Sequence, residues 1–229
     1  MGTHTPPEDL QSIPSAQTVE ERLRKWFIDV GPEPRGQLVA LHGLLVKFNK
    51  AINLVSASTL RTAESVHIAD SILASRLMFD RLLPAEPLFD LGSGNGFPGL
   101  VFAILNPLNQ VVLVERDQRK AEYLKIASSD LKLSNVTVDR RSTEVFPEGA
   151  FGNVILRGFA PLSKALLTLR KQVKPGGRCF HMKGDGFANE LANVPSQLFT
   201  FWNLSLLGIY RLPETSTDLA LILTEKSAE

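Results

Sequence analysis

Residues 89–100 read FDLGSGNGFPGL and are the most informative part of the chain. An apolar run ends in Asp90, and glycines then occupy alternate positions at Gly92, Gly94 and Gly96. A strand that ends in closely spaced glycines and continues as a helix lets a ligand approach bare backbone at the carboxyl edge of a sheet. The segment therefore predicts a strand, a ligand-binding loop and a helix, in that order.

A carboxylate follows the next predicted strand. The apolar run 111–114 ends in Glu115, which comes about 20 residues after the glycines, where the ribose-binding acid of a dinucleotide-type βαβ unit falls. Two kinds of site share this pattern. One binds a nicotinamide or flavin cofactor, and the other binds S-adenosylmethionine (AdoMet).

The position of the third glycine favours AdoMet. In the dinucleotide fingerprint G-x-G-x-x-G the third glycine would stand at Phe97, whereas here it comes one residue earlier. Asp90 would repel a pyrophosphate, but it can meet the ammonium group of AdoMet, directly or through water. A nicotinamide site remains the less favoured alternative. The residues that we expect at the AdoMet site on this basis are Asp90, Gly92, Gly94, Gly96 and Glu115.

The composition is that of an ordinary globular protein. The chain has 229 residues, of which 44% are hydrophobic and 21% charged, and the apolar runs near the loop are too short to cross a bilayer. Residues 1–17 are polar and contain proline, which predicts a disordered leader and no export signal. The single cysteine, Cys179, excludes an internal disulfide framework and a Cys-based zinc site. We therefore expect a cytoplasmic monomer with no metal and no membrane segment.

Charge is unevenly distributed along the chain. The net charge is only +1, but the segment from Glu115 to Lys183 holds 14 Lys or Arg against 7 Asp or Glu. Such a basic segment is compatible with binding to the phosphate backbone of a nucleic acid. Solvated helix faces would explain it equally well, so charge alone does not decide between these interpretations.

Apolar periodicity divides the chain near residue 85. Before it, helical spacing predicts helices at 18–30, about 38–51 and 58–78, with no strand. After it, short apolar runs that read as strands alternate with helical segments, and two apolar runs without a helix between them close the chain and indicate an antiparallel hairpin. The predicted strands lie at residues 88–91, 110–114, 136–139, 153–156 and 178–182, and the two closing runs lie at residues 198–212 and 219–223.

This alternation predicts a mostly parallel sheet with right-handed crossovers. We expect an α/β fold of the Rossmann-like class I AdoMet methyltransferase type, with a seven-stranded sheet that ends in an antiparallel hairpin. The expected organisation is a leader at 1–17, an N-terminal helical extension at 18–84 and an AdoMet-binding methyltransferase domain at 85–229.

The motifs that the chain lacks restrict the nucleophile. Arg157-Gly158-Phe159-Ala160-Pro161 follows the fourth predicted strand, where many adenine amino methyltransferases carry an Asn-Pro-Pro-aromatic loop. Cys179 lies inside a predicted strand, without the Pro-Cys loop of a cytosine C5 methyltransferase. Guanine N7 carries a lone pair and no proton, so its methylation needs placement and electrostatic support but no general base. The sequence is compatible with that nucleophile, and we expect no acid–base catalytic residue.

Five segments occur in a fixed order along the chain: FNKAINL at 48–54, HIADS at 67–71, DLGSGNGFPG at 90–99, RGFA at 157–160 and KG at 183–184. Together they resemble one family, the bacterial small-subunit rRNA guanine-N7 methyltransferases, also called glucose-inhibited division protein B. The resemblance runs from about Leu38 to the C-terminus. The glycine loop alone is shared with many methyltransferases, whereas the ordered set is specific.

The resemblance implies roles for individual residues. Gly92 and Phe97 would contact AdoMet, Gly94 and Gly96 would shape the loop, and Glu115 would accept hydrogen bonds from the ribose hydroxyls. Thr143 and Glu144 would border the adenine, although the family often carries Arg-x-Glu-Glu in this loop. Arg157 would lie near the cofactor or an RNA phosphate, and Lys183 toward the substrate. His67 is expected to brace the helical extension.

The function that follows is methyl transfer from AdoMet to N7 of a guanine in small-subunit (16S) rRNA, with the rRNA or a ribosomal particle as partner. Two alternatives stay open. One is a small-molecule AdoMet methyltransferase of the same fold, and the other is a non-catalytic RNA-binding module in ribosome assembly.

Overall fold

The computed structural model describes residues 12–227, and its centre is one seven-stranded sheet. The strand order is β3-β2-β1-β4-β5-β7-β6. Strands β1 to β5 run parallel, whereas β7 is antiparallel to both β5 and β6. The predicted parallel sheet with a closing hairpin is thereby confirmed. The strands are β1 (Leu88–Leu91), β2 (Val111–Val114), β3 (Val136–Asp139), β4 (Phe151–Arg157), β5 (Val173–Lys183), β6 (Trp202–Arg211) and β7 (Asp218–Lys226).

Helices cover both faces of this sheet. A π-helix at Glu64–Ala69 lies between the third and fourth α-helices, and single 3-10 turns occupy Phe79–Arg81, Thr143–Val145 and Ser196–Thr200. None of the helices within residues 12–227 is long and apolar enough to cross a membrane. The α-helices are α1 (Ala16–Trp26), α2 (Pro32–Ile52), α3 (Ala57–Leu60), α4 (Asp70–Met78), α5 (Gly99–Leu105), α6 (Gln118–Asp130), α7 (Leu162–Leu169) and α8 (Phe187–Ala192).

The first helix differs from the prediction at both ends. It begins at Ala16 because the Ser15 hydroxyl accepts a hydrogen bond from the backbone N–H of Thr18, so the predicted start at residue 18 is wrong. It ends at Trp26, before the predicted end at residue 30, and Gly31 caps the start of α2. Residues 1–11 of the predicted leader lie outside the described residues.

The N-terminal helices share a hydrophobic core with the sheet. Val19 and Leu23 of α1 and Leu41 of α2 are at most 1% exposed and belong to the same apolar cluster as α5 and α6. A second cluster, which includes Leu166 of α7 and Trp202 of β6, forms a separate apolar core. The division into a helical extension and a methyltransferase domain stays a prediction. The residues of the two parts belong to one hydrophobic core.

A buried asparagine fixes the segment that leads into β1. The Asn153 side chain is fully buried, and its Oδ1 accepts a hydrogen bond from the Leu83 N–H at 2.8 Å. Its Nδ2 donates to the carbonyl oxygens of Leu83 at 3.0 Å and Glu86 at 3.3 Å. One side chain in β4 thus satisfies three backbone groups of the connection between the helices and the sheet.

We expect Asn153→Ala to lower the free energy of unfolding by about 2 kcal/mol or more, because the three backbone groups would lose their partner inside the protein. Urea denaturation monitored by circular dichroism measures this loss. Asn203→Ala, on the exposed side of β6, is the matched control and should change stability by less than about 0.5 kcal/mol. Equal stability of the two variants would contradict the assigned role of Asn153.

Candidate cofactor and substrate site

The glycine loop connects β1 to α5 at the carboxyl edge of the sheet. Gly92 and Gly96 have φ angles of 73° and 87°, a left-handed conformation that side chains disfavour. The backbone N–H groups of Gly92 and Ser93 donate to the carbonyl of Val114 at 2.9 and 3.0 Å, which holds the loop against the end of β2. Gly96 is packed tightly, because a Cβ there would collide with the side chain of Leu100.

Asp90 supports this loop from below. The carboxylate is 1% exposed, and its Oδ2 accepts a hydrogen bond from the Gly99 N–H at 3.0 Å. A Cβ on Gly99 would come within 2.6 Å of the same oxygen. Asp90 lines neither of the cavities described below, and its expected contact with the ammonium group of AdoMet, directly or through water, stays a prediction. Its role in this structure is to hold the start of α5.

Glu115 holds the loop from the other side. Its Oε2 accepts from the Gly94 N–H at 2.9 Å, and its Oε1 accepts from the Asp117 N–H at 2.8 Å. Each carboxylate oxygen has two lone pairs, so each can accept a further hydrogen bond. Glu115 is 8% exposed and forms part of a cavity wall, where a ligand hydroxyl can reach it.

Two cavities meet at the ridge formed by Gly92 and Gly158. The larger has a volume of about 580 Å³ and the smaller about 410 Å³. A Cβ on Gly158 would meet no protein atom within 4 Å, so only open space lies above this part of the ridge. One extended ligand can cross the bare backbone and occupy both cavities, as AdoMet requires for its amino acid end and its adenosine.

The predicted site residues divide between these cavities. Two of them, Asp90 and Gly96, line neither cavity, and Gly96 is buried against the side chains of Leu100 and Leu124. The smaller cavity is lined by Gly92, Glu115, Thr143 and Glu144, and the larger by Gly92, Gly94, Phe97, Arg157 and Lys183.

Arg157, at the end of β4, is bound to the helical extension. Its Nε donates to Asp70 Oδ2 at 2.8 Å, and its two terminal nitrogens lie 2.7 Å from His67 Nδ1 and from the Val66 carbonyl oxygen. Tyr210 of β6 donates to the second oxygen of Asp70 at 2.7 Å. We refer to Asp70, His67, Arg157 and Tyr210 as the Arg157 cluster.

His67 contacts both Arg157 and the glycine loop. A guanidinium group only donates, so Nδ1 of His67 accepts and the ring is neutral. Burial, with a smaller contribution from the Arg157 charge, lowers the pKa of His67 to about 3. The ring stacks on Phe97, with 5.1 Å between centroids and 19° between planes. His67 therefore braces the extension against the loop, as the sequence predicts.

The ammonium group of Lys183 donates to two groups of the protein. Its Nζ donates to the Ala160 carbonyl at 2.9 Å and to Glu190 Oε2 at 2.8 Å. The same Glu190 oxygen accepts from the Leu162 N–H at the start of α7. Lys183 therefore lies in the wall of the larger cavity as one half of an ion pair.

Asp70 and Tyr210 also line the larger cavity, although neither is among the site residues predicted from the sequence. Asp70 stands in the HIADS segment that carries the family resemblance, and that signal could have identified it. Tyr210 has no local signal, because its partner lies 140 positions away in the sequence. Within the described part of the chain, no three His, Cys, Asp or Glu side chains are grouped so that they could hold a metal ion.

The sheet order, the glycine loop and the acid after β2 define the class of protein. It is an AdoMet-dependent methyltransferase with a Rossmann-like fold. Solved structures support the fold: a putative O-methyltransferase from Klebsiella pneumoniae superposes with a TM-score of 0.57 at 16% identity, over 92% of this chain and 96% of that one. The tRNA (m1A58) methyltransferase TrmI from Aquifex aeolicus gives a TM-score of 0.54 at 15% identity, over 82% and 76%.

The family follows from sequence comparison. The family model described as rRNA small subunit methyltransferase G (GidB) matches residues 35–204. A Bdellovibrio bacteriovorus protein named ribosomal RNA small subunit methyltransferase G 3 is 43% identical over 93% of this chain and 97% of its own length. A Halorhodospira halophila protein named ribosomal RNA small subunit methyltransferase G is 32% identical over 85% and 88%. The chain belongs to the rRNA small subunit methyltransferase G family.

The buried Asp90 should make stability depend on pH. Burial raises its pKa from 3.8 to about 7, against a smaller lowering by the Gly99 hydrogen bond. The folded state then binds more protons than the unfolded state between these values. The contribution of Asp90 to the free energy of unfolding is therefore fully present below about pH 4 and is lost as the pH rises through 7.

We expect Asp90→Asn to remove this dependence, since the amide oxygen can still accept from Gly99. Urea unfolding at pH 5, 6 and 7 measures it: the free energy of unfolding of the wild type should fall relative to the variant by up to about 1.4 kcal/mol per pH unit. Parallel pH profiles for the two proteins would contradict a raised pKa at Asp90.

Proposed function

We propose that this protein transfers the methyl group of AdoMet to N7 of a guanine in small-subunit (16S) rRNA. The observation that carries the proposal is the bare glycine ridge between two cavities in a chain that belongs to the rRNA small subunit methyltransferase G family. The substrate class comes from the printed names of relatives that this chain matches over nearly its whole length. The guanine N7 target comes from the family resemblance of the sequence.

The cofactor would lie across the ridge at Gly92. We place its adenosine in the smaller cavity, where Glu115 would accept from the ribose hydroxyls and Thr143 and Glu144 would border the adenine. The amino acid end would lie along the glycine loop toward Phe97. When bound, AdoMet supplies an electrophilic methyl group on a positively charged sulfur. The chain's own residues then have to orient the target base and exclude water.

The larger cavity suits a nucleophile that carries no proton. The carboxylate that lines it, Asp70, is paired with Arg157 and also accepts from Tyr210, so taking a proton from a substrate would cost it the ion pair. A guanine N7 needs no base to remove a proton, whereas a hydroxyl or an amino group would profit from one. This difference supports guanine N7 as the nucleophile over a hydroxyl or an amino group, each of which carries a proton.

Paired charges also suit the product. Methyl transfer moves a positive charge from the sulfonium to the guanine ring. An unpaired cation beside that ring would oppose the transfer. Arg157 is paired with Asp70 and Lys183 with Glu190, so each is balanced by a carboxylate. The basic residues can therefore donate hydrogen bonds at the cavity wall with little electrostatic cost.

We propose that further basic residues at the walls of the two cavities contact the RNA backbone. Lys120 lines the larger cavity, and Arg116, Arg141 and Lys164 line the smaller one. Contacts from these side chains to phosphates would make RNA binding weaken as salt concentration rises. We further propose that the partner is the rRNA or a ribosomal particle in the cytoplasm, and that the protein acts as a monomer, because both cavities are built within one chain.

Methyl transfer can be tested directly. Unmodified small-subunit particles, their naked rRNA and assembly intermediates are incubated with the protein and AdoMet labelled on its methyl group. We expect label in 7-methylguanosine at one position of the rRNA. The control is large-subunit rRNA, which should stay unlabelled. Absence of labelled 7-methylguanosine from all three small-subunit substrates would contradict the proposal, and RNA binding without AdoMet binding would favour the non-catalytic alternative.

The ridge predicts a substitution that blocks the cofactor. We expect Gly92→Asp to abolish AdoMet binding in calorimetry, because a side chain and a negative charge would fill the boundary between the two cavities. Gly43→Asp is the matched control, since Gly43 is exposed on α2 and a Cβ there meets no atom within 4 Å. It should bind AdoMet within about twofold of the wild type. Unchanged affinity in Gly92→Asp would refute the assigned site.

A further inference from the structure

Tyr210 fixes a carboxylate that it shares with Arg157. The tyrosine lies on β6, and its hydroxyl donates to Asp70 Oδ1 at 2.7 Å, while Asp70 Oδ2 accepts from Arg157 Nε at 2.8 Å. Each oxygen of Asp70 therefore has one donor, and the two donors come from different strands. This arrangement determines the plane of the carboxylate and with it the direction in which the guanidinium group lies.

Arg157 is held by three of its N–H groups. One N–H on each guanidinium nitrogen points to Asp70, His67 or the Val66 carbonyl, and a guanidinium carries five N–H groups in a rigid fork. Two N–H groups are left over, and the side chain is 24% exposed in the wall of the larger cavity. The contacts to the helical extension thus set the orientation of the two donors that a substrate atom can use.

Burial makes these contacts strong. Asp70 is 4% exposed, so its hydrogen bonds operate largely away from water. Desolvation raises the pKa of Asp70, whereas Arg157 and the Tyr210 hydroxyl lower it. Burial and the neighbouring carboxylate raise the pKa of Tyr210, so its hydroxyl keeps its proton and remains a donor.

We infer that Tyr210 and Asp70 are positioning residues for methyl transfer, and that they act by orienting Arg157 toward the target base. This inference rests on the proposed function. Tyr210 lies on the hairpin and Asp70 at the start of α4, so the orientation of one cavity-wall donor depends on the helical extension, the sheet and the hairpin together. The guanine O6 beside N7 is an acceptor that such a donor can reach.

The test is a double-mutant cycle on kcat/KM for rRNA, with AdoMet affinity and melting temperature measured on the same samples. We expect Tyr210→Phe, which removes one hydroxyl, to lower kcat/KM about tenfold while the Kd for AdoMet stays within about twofold. Asp70→Asn should cause a larger loss, because the charge that pairs with Arg157 is removed. Asp218→Asn, which breaks the exposed Arg211 pair on the same hairpin, should leave activity within about twofold.

The cycle separates positioning from packing. If Tyr210 acts through Arg157, then Tyr210→Phe should lower activity by less than about twofold in an Arg157→Lys background, because lysine has no fork to orient. Equal losses in both backgrounds would overturn the inference, and so would full activity of Tyr210→Phe in the wild-type background. If the wild type itself fails to methylate small-subunit rRNA, it is the proposed function that fails, and the outcome is distinguishable from the first two.

Discussion

One guanidinium group joins three parts of this protein. Arg157 comes from the parallel sheet, its partner Asp70 from the helical extension, and Tyr210, which binds the same carboxylate, from the hairpin. Removing one partner of a buried ion pair leaves the other charge uncompensated, so loss of Arg157 or Asp70 alone would weaken the packing of the extension against the sheet. The stack of His67 on Phe97 continues the contact into the glycine loop. The position of the extension and the shape of the cofactor loop therefore depend on the same pair.

An irregular helix directly precedes Asp70. The π-helix Glu64–Ala69 leads directly into α4, and such wider turns are frequent at functional sites. Within the π-helix, the His67 ring and the Val66 carbonyl both accept from Arg157. Asp70 directly follows the π-helix. At the other end, Glu64 forms an ion pair with Arg22, which ties α1 to the same turn. The π-helix thus connects α1 to the wall of the larger cavity.

Local signals predicted the sheet and the loop, but not the contacts between distant segments. Apolar runs and their spacing identified β1 to β5 and the closing hairpin, because each strand carries its own pattern. The predicted start of α1 at residue 18 was wrong because Ser15 caps the helix. Ser15 and Thr18 are both hydroxyl residues, and either could serve as an N-cap on sequence alone. Arg157 and Lys183 were expected near the ligand, but the sequence holds no information that pairs them with Asp70 and Glu190.

The glycine loop shows why a motif alone does not separate support from ligand contact. Gly92 is open to the cavities, whereas Gly99 is pressed against Asp90, and the sequence pattern treats them alike. The two carboxylates at the ends of β1 and β2 hold opposite ends of the loop: Asp90 accepts from Gly99, and Glu115 accepts from Gly94. The backbone that faces a ligand is therefore fixed before the ligand arrives, which reduces the ordering cost of binding. Glu115 lies in a cavity wall and can share its lone pairs with a ligand, whereas Asp90 is buried and lines neither cavity.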